Sequence, residues 1–128
     1  MMPLPEGDQP MPVDPEILQM LADLQEPGEP DLLRELITLF LRDTPERLDT
    51  ALRALAASDF DTAGRAAHSV KGSAANLGAH ALQAHAGTAE AAARRQDASA
   101  LTTALVALDE EFALVRAQLE RVRATRPH

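Results

Sequence analysis

Apolar residues recur at intervals of three and four along most of this 128-residue chain, and this spacing restricts the fold more than any other feature. It gathers the apolar side chains on one face of an α-helix, and that face must pack against another helix. The clearest stripe alternates four and three without a break: Leu101, Leu105, Leu108, Phe112, Val115, Leu119 and Val122. No segment alternates apolar and polar residues with a period of two, as half-buried strands do. The pattern therefore predicts an all-α chain.

Local signals divide the chain into five predicted helices. They span about residues 15–24, 31–57, 59–78, 80–95 and 98–124. Asp14 is placed to cap the first helix, and Pro15 suits its first position. We expect one bent helix across Pro45, because the apolar stripe keeps its phase there. Ser58 or Asp59 can cap the third helix. Four amphipathic helices with short connections predict an antiparallel four-helix bundle, with the short first helix covering one end.

Composition and length restrict the class of protein. We expect one bundle domain over residues 14–124, a C-terminal tail over 125–128, and a flexible N-terminal tail over 1–13, which holds four of the nine prolines. The net charge of -8 argues against a nucleic-acid partner. There is no cysteine, and no apolar run approaches the roughly 18 residues of a membrane span. The N-terminus lacks a signal-peptide pattern, so we expect a cytoplasmic protein.

His68 is the candidate functional residue. The core stripe of the third helix is made of Ala63, Ala67, Val70, Ala74 and Leu77. His68 points roughly 140° away from the centre of that stripe and faces water. Gly64 and Gly72 flank it on the outer face, although each glycine costs a helix on the order of 1 kcal/mol. We interpret these glycines as leaving the ring open to another macromolecule.

An exposed imidazole with a pKa of about 6.5 is a nucleophile at neutral pH. It can accept a phosphoryl group from an aspartyl phosphate and pass it on. Lys71 and Arg65 are each three residues away on the helix and can neutralise phosphoryl oxygens. The chain shows no acidic cluster for magnesium, so we expect the partner to supply that metal. His80 and His85 are five residues apart, which does not place them on one helical face, so no metal site is predicted.

The run His68-Ser69-Val70-Lys71-Gly72, followed by Leu77-Gly78, resembles the signature of histidine-containing phosphotransfer (HPt) domains of two-component phosphorelays. The resemblance extends over about residues 14–123. It implies an HPt-like bundle that carries a phosphoryl group between receiver domains. It also implies that His68 is the phosphoacceptor, that Lys71 assists and that Gly72 leaves room for the receiver. Members often place a Gln or Glu near the histidine, and Glu90 occupies the matching position.

The expected partners are the receiver domains of response regulators and a hybrid histidine kinase. The expected docking residues surround His68 on the outer face: Asp61, Gly64, Arg65, Gly72 and Ala75. We expect a monomeric phosphocarrier without a catalytic domain, a metal or a cofactor of its own, and Mg²⁺ on the receiver. Two other functions are compatible with the residues. One is a phosphorylatable input domain of the chemotaxis-kinase type, and the other is an adaptor bundle that is never phosphorylated.

Overall fold

The computed structural model describes residues 11–126, and its regular structure consists of five α-helices. They are α1 (Pro15–Asp23), α2 (Leu32–Ala56), α3 (Phe60–Leu77), α4 (His80–Arg94) and α5 (Ala98–Thr125). Each of the four long helices packs against the next along the chain, and α2 also packs against α5, which closes the bundle. The short α1 lies against α2. This all-α architecture confirms the predicted fold class.

Aspartates fix where four of the helices begin. The side chains of Asp14, Asp31, Asp59 and Asp97 each accept a hydrogen bond from a backbone N–H in the first turn. These bonds satisfy N–H groups that have no partner inside the helix. Of the two residues expected to cap α3, Asp59 is the cap, whereas Ser58 takes a left-handed conformation with φ of 56°. Gly78 ends α3 with φ of 77°, a conformation that glycine adopts without steric cost.

A proline does not divide α2. The helix continues through Pro45, as predicted, and buries Thr44 and Leu48 on either side of it. Proline lacks the N–H that would bond to the carbonyl of Leu41, so tertiary packing holds the helix together at this point.

The core differs between the two halves of the bundle. On α3 and α4 it is built largely from alanine: Ala63, Ala67, Ala74, Ala86, Ala89, Ala92 and Ala93. On α2 and α5 larger side chains fill it, and the rings of Phe40 and Phe112 lie 5.9 Å apart. Small core side chains let helix backbones approach each other, and α3 and α4 share the most extensive contact of any helix pair. Side chains on the outer edge of this contact can therefore reach across from one helix to the other.

The predicted flexible tail extends too far at its C-terminal end. Val13 is fully buried, its N–H donates to Oε1 of Gln118 at 2.8 Å, and its carbonyl accepts from Nε2 of Gln118 at 2.8 Å. Its burial and its two hydrogen bonds place Val13 in the packed domain, and residues 1–10 lie outside the described part. At the other end, α5 continues to Thr125, and Nε of Arg126 donates to Asp31 at 2.6 Å. The predicted C-terminal tail of 125–128 is therefore also too long, and residues 127–128 lie outside the part of the chain that the structure describes.

Across residues 11–126, no helix combines the length and the apolarity that a bilayer crossing requires.

Candidate functional site

His68 lies in the middle of α3 with 65% of its side chain exposed. Its neighbours Ala67 and Val70 are buried on the opposite face of the helix. The ring therefore faces solvent from a helix whose other side is anchored in the core, as the helical spacing predicts.

A buried carboxylate from α4 holds the ring. Glu90 is only 5% exposed, and its Oε2 lies 2.8 Å from Nδ1 of His68. Oε1 of Glu90 accepts a hydrogen bond from Nζ of Lys71 at 2.5 Å. Oε2 also accepts from Nη2 of Arg94 at 2.8 Å. One carboxylate thus joins three side chains from two helices, and we call these four residues the Glu90 cluster.

The Glu90 cluster keeps its carboxylate ionised. The hydrogen bond from Lys71 is the main cause that lowers the pKa of Glu90 below its ordinary value of 4.5, and burial opposes it. The hydrogen bond with His68 and the charges of Arg94 and Lys71 add to the lowering of this pKa. An ionised carboxylate can only accept hydrogen bonds, so the bonded Nδ1 of His68 carries the proton. In the neutral ring, Nε2 then holds the free lone pair, so the nucleophilic nitrogen is the one that Glu90 does not bind.

An open depression of about 660 Å³ lies beside His68 where α3 meets α4. His68, Glu90 and Arg94 line one part of it, and Phe60 and Gln96 line the part towards the ends of the helices. The predicted docking residues Asp61, Gly64 and Arg65 line it as well. Arg65 and Asp61 are both exposed and form an ion pair one turn apart on α3. The site therefore offers a partner both a nucleophile and an adjoining concave surface.

The glycines and the alanine of the predicted docking surface differ in their surroundings. Gly72 and Ala75 are exposed, and a Cβ added at Gly72 would meet nothing within 4 Å. The expectation that Gly64 faces away from the helix contacts is wrong, because Gly64 is half-buried against α4. A Cβ at Gly64 would lie 3.4 Å from the Cβ of Ala93. Gly72 thus leaves open space beside the histidine, whereas Gly64 brings α3 and α4 together.

Two features of the Glu90 cluster were not predicted. The sequence places Lys71 as a cation beside His68, but the structure ties its ammonium group to Glu90 and leaves 36% of the side chain exposed. Arg94 was not predicted as part of the site, and its spacing of four residues from Glu90 is the signal that could have linked the two. Lys71 is also the single lysine of the chain. The sequence pattern shows on which face of its helix a residue lies. It does not show which residue of a neighbouring helix that side chain bonds to.

The described residues contain no cluster of metal-ligating side chains. Within residues 11–126, no three histidine, cysteine or acidic side chains are grouped as ligands for a metal. Glu90 is the carboxylate that bonds to His68, and three cationic or N–H donors already occupy its oxygens. Mg²⁺ is bound through oxygen ligands, and both oxygens of this carboxylate already accept hydrogen bonds from side chains of the protein.

Comparisons with known proteins identify the family of the chain. A family model described as the Hpt domain matches residues 35–125. Histidine-containing phosphotransfer protein B (HptB) from Pseudomonas aeruginosa PAO1 is 29% identical, with a TM-score of 0.83 over 91% of this chain and 97% of that chain. The histidine-containing phosphotransfer protein ZmHP2 from maize is 28% identical, with a TM-score of 0.73 over 86% of each chain. No curated protein sequence matches the chain significantly. The chain belongs to the Hpt domain family, the histidine phosphotransfer proteins of phosphorelays.

Proposed function

We propose that His68 is the phosphoacceptor, and that the chain exchanges a phosphoryl group between its Nε2 atom and the aspartate of a receiver domain. The observation that carries this proposal is the hydrogen bond between Nδ1 of His68 and the buried Glu90. That bond directs the free lone pair to Nε2 on a ring that is 65% exposed. Lys71 follows His68 by three residues and bonds to the same carboxylate, and Gly72 leaves open space on this face of the helix. Both observations support the same assignment.

The transfer forms one bond and breaks one. The lone pair of Nε2 attacks the phosphorus of the aspartyl phosphate, the bond between phosphorus and the aspartyl oxygen breaks, and the aspartate carboxylate leaves. The imidazole ring gains positive charge as the bond forms, and Glu90 stabilises that charge through Nδ1–H. Lys71, which bonds to the same carboxylate as His68, neutralises the incoming phosphoryl oxygens as a point charge. The reverse attack by an aspartate carboxylate returns the phosphoryl group to a receiver.

We propose further that the receiver domain supplies the Mg²⁺ for this transfer. Divalent metal ions neutralise charge during phosphoryl transfer, and a receiver would hold one beside its aspartate. The chain then acts as a phosphocarrier, and the chemistry is completed only in the complex. Receiver domains of response regulators and a hybrid histidine kinase are the proposed partners, for a monomeric protein in the cytoplasm.

The test is labelling of His68 by a phosphorylated receiver domain. The protein is incubated with each phosphorylated receiver of the source organism, and acid-labile, base-stable label on the chain is measured. His68→Gln should abolish the label. The matched control is His80→Gln, because the His80 side chain is also 65% exposed and starts the neighbouring helix. That variant should be labelled like the natural protein.

Label that persists in His68→Gln would reject the assignment of His68. Loss of label in His80→Gln, with the fold intact by circular dichroism, would instead indicate His80, at the start of α4, as the phosphoacceptor. If no receiver labels the natural protein but a partner still binds it, the adaptor function replaces the proposal.

A further inference from the structure

The charges of the chain are distributed unevenly over the bundle. The whole chain has a net charge of -8, but the segment from 60 to 95, which forms α3 and α4, contains four basic residues and two acidic ones. The basic residues are Arg65, Lys71, Arg94 and Arg95, and we call them the basic patch. With His68 neutral, the segment from 60 to 95 therefore has a net charge of +2, opposite in sign to the whole molecule, and Asp59 and Asp97, the N-caps of α3 and α5, lie just outside it.

The opposite charge is concentrated around α1. Between residues 14 and 29 the chain holds five acidic residues and no lysine or arginine. They are Asp14, Glu16, Asp23, Glu26 and Glu29. This segment packs on α2, and none of its residues lines the depression beside His68. The two helices that form the site of His68 thus carry an excess of basic residues, whereas the segment around α1 is acidic.

The basic patch is accessible. The side chains of Arg65 and Arg94 are each 75% exposed, and Arg95 at the end of α4 is also exposed. Asp61 and Glu90 neutralise part of the patch through their ion pairs with Arg65, Lys71 and Arg94. No salt bridge within residues 11–126 involves Arg95, so its charge acts outward.

The partner of this face must itself be acidic at the point of contact. Phosphoryl transfer between carboxylate and imidazole needs a cation such as Mg²⁺, and the residues around His68 offer no site for it. The metal ligands must then surround the aspartate of the partner, and Mg²⁺ is held mainly by carboxylate and other oxygen ligands. A surface rich in carboxylates complements the basic patch and is repelled by the segment around α1.

We infer that the basic patch steers the acidic docking face of a receiver domain onto His68, and that Arg95, which forms no salt bridge within residues 11–126, affects the rate of association and not the rate of phosphoryl transfer. The inference rests on the proposed function, since the partner is a receiver. Fields from clustered charges raise association rates when the partner has the complementary sign. Charges at the edge of an interface change the association rate and its salt dependence more than the chemistry inside the complex.

The test compares two charge reversals that change the net charge of the chain equally. Arg95→Glu reverses a charge of the basic patch, and Arg121→Glu reverses an exposed charge near the end of α5. Arg95 is the C-cap of α4, and Arg121 lies four residues before the end of α5, so both reversals place a negative charge towards the negative end of a helix dipole. The probe is the receiver domain that labels His68 fastest in the panel described above. The second-order rate constant and the limiting rate at saturating receiver are measured by rapid quench.

At an ionic strength of about 0.02 M, Arg95→Glu should lower the second-order rate constant about fivefold relative to Arg121→Glu, while the limiting rate stays the same. At about 0.5 M salt the Debye length falls to a few ångströms, and the two variants should become equal. Replacing an acidic residue of the receiver's docking face that lies outside its metal site with lysine should restore association with Arg95→Glu.

Equal rate constants for the two variants at low salt would overturn the inference, because only the net charge would then matter. A lower limiting rate in Arg95→Glu would also overturn it, since the residue would then act in the transfer itself. Neither result affects the assignment of His68. Failure of the natural protein to be labelled at saturating receiver would instead reject the proposed function.

Discussion

Among the individual side chains, Glu90 has the widest influence on the site. It is buried, it bonds to His68, Lys71 and Arg94, and it decides which nitrogen of the ring carries the proton. Its position relative to His68 could be predicted from the resemblance to the family, and the exposure of His68 from helical spacing alone. The bond between Glu90 and Arg94 lies within one helix face, whereas the bond from Lys71 depends on how closely α3 and α4 pack. Spacing along one helix does not provide that distance.

The ionised state of Glu90 gives the fold a specific pH dependence. Because the pKa of Glu90 is lowered on folding, its contribution to stability is complete above its ordinary pKa of 4.5 and is lost as the pH falls through the lower value in the folded protein. Glu90→Gln removes this titration. We therefore expect the natural protein to lose stability more steeply than Glu90→Gln as the pH falls below about 4.5. Urea unfolding at a series of pH values from 7 down to 3 measures the difference.

The control for this experiment is Glu120→Gln, which removes an exposed glutamate on α5 whose nearest cationic partner lies at 4.0 Å. Its acid unfolding should match that of the natural protein. If Glu90→Gln and the natural protein lose stability in parallel, the carboxylate does not contribute to the fold through its ionised form.

Among the helices, the junction of α1 with the end of α3 depends on one glycine. Gly78 has φ of 77°, and a Cβ there would lie 2.9 Å from Cβ and Cγ1 of Ile17 in α1. Gly28 has a similar φ of 86° but no atom within 4 Å of its Cβ position. Gly72 is helical and equally open. Substitution by alanine would therefore introduce backbone strain alone at Gly28, and backbone strain with steric overlap at Gly78. At Gly72 it would change helix propensity alone.

Alanine substitution of the three glycines should give three different results. Gly72→Ala should stabilise the fold by about 0.5–1 kcal/mol, because alanine favours the helix and meets no neighbour. Gly28→Ala should destabilise it by about 1 kcal/mol through the left-handed backbone alone. Gly78→Ala should cost more than Gly28→Ala, because Ile17 must also move. Free energies of unfolding from urea titrations test this order, and equal losses for Gly28→Ala and Gly78→Ala would show that α1 is not held by this contact.

Most helix ends could be predicted because their signals are local. Asp14 and Asp59 cap helices within three residues of themselves, and Gly78 ends one by its own conformation. Pro45 was placed correctly inside one helix because the apolar stripe continues past it. The boundary at Val13 could not be found in this way. Its partner, Gln118, is 105 residues away, and no periodic signal along the chain connects the two.

For the bundle as a whole, Gln118 fastens the segment before α1 to the last helix. Its buried side chain both accepts from the N–H of Val13 and donates to the carbonyl of Val13, each at 2.8 Å. Polar groups that are buried without partners cost about 1–3 kcal/mol. These two hydrogen bonds therefore contribute to stability mainly by preventing that cost. The contact joins residues 105 positions apart and connects the segment before α1 to α5, whereas the Glu90 cluster connects α3 to α4.

Gln118→Ala should therefore destabilise the fold by about 1–3 kcal/mol, because both backbone groups of Val13 lose their buried partner. Hydrogen exchange of the Val13 amide should accelerate relative to amides in the middle of α5, since the segment opens without global unfolding. Gln19→Ala is the control, because that exposed glutamine bonds to Asp23 one turn along α1, and its loss should be nearly neutral. Phosphoryl transfer through His68 should survive in Gln118→Ala at temperatures where the bundle remains folded. A Val13 amide that stays protected in Gln118→Ala would mean that burial of the valine side chain alone holds this segment in place.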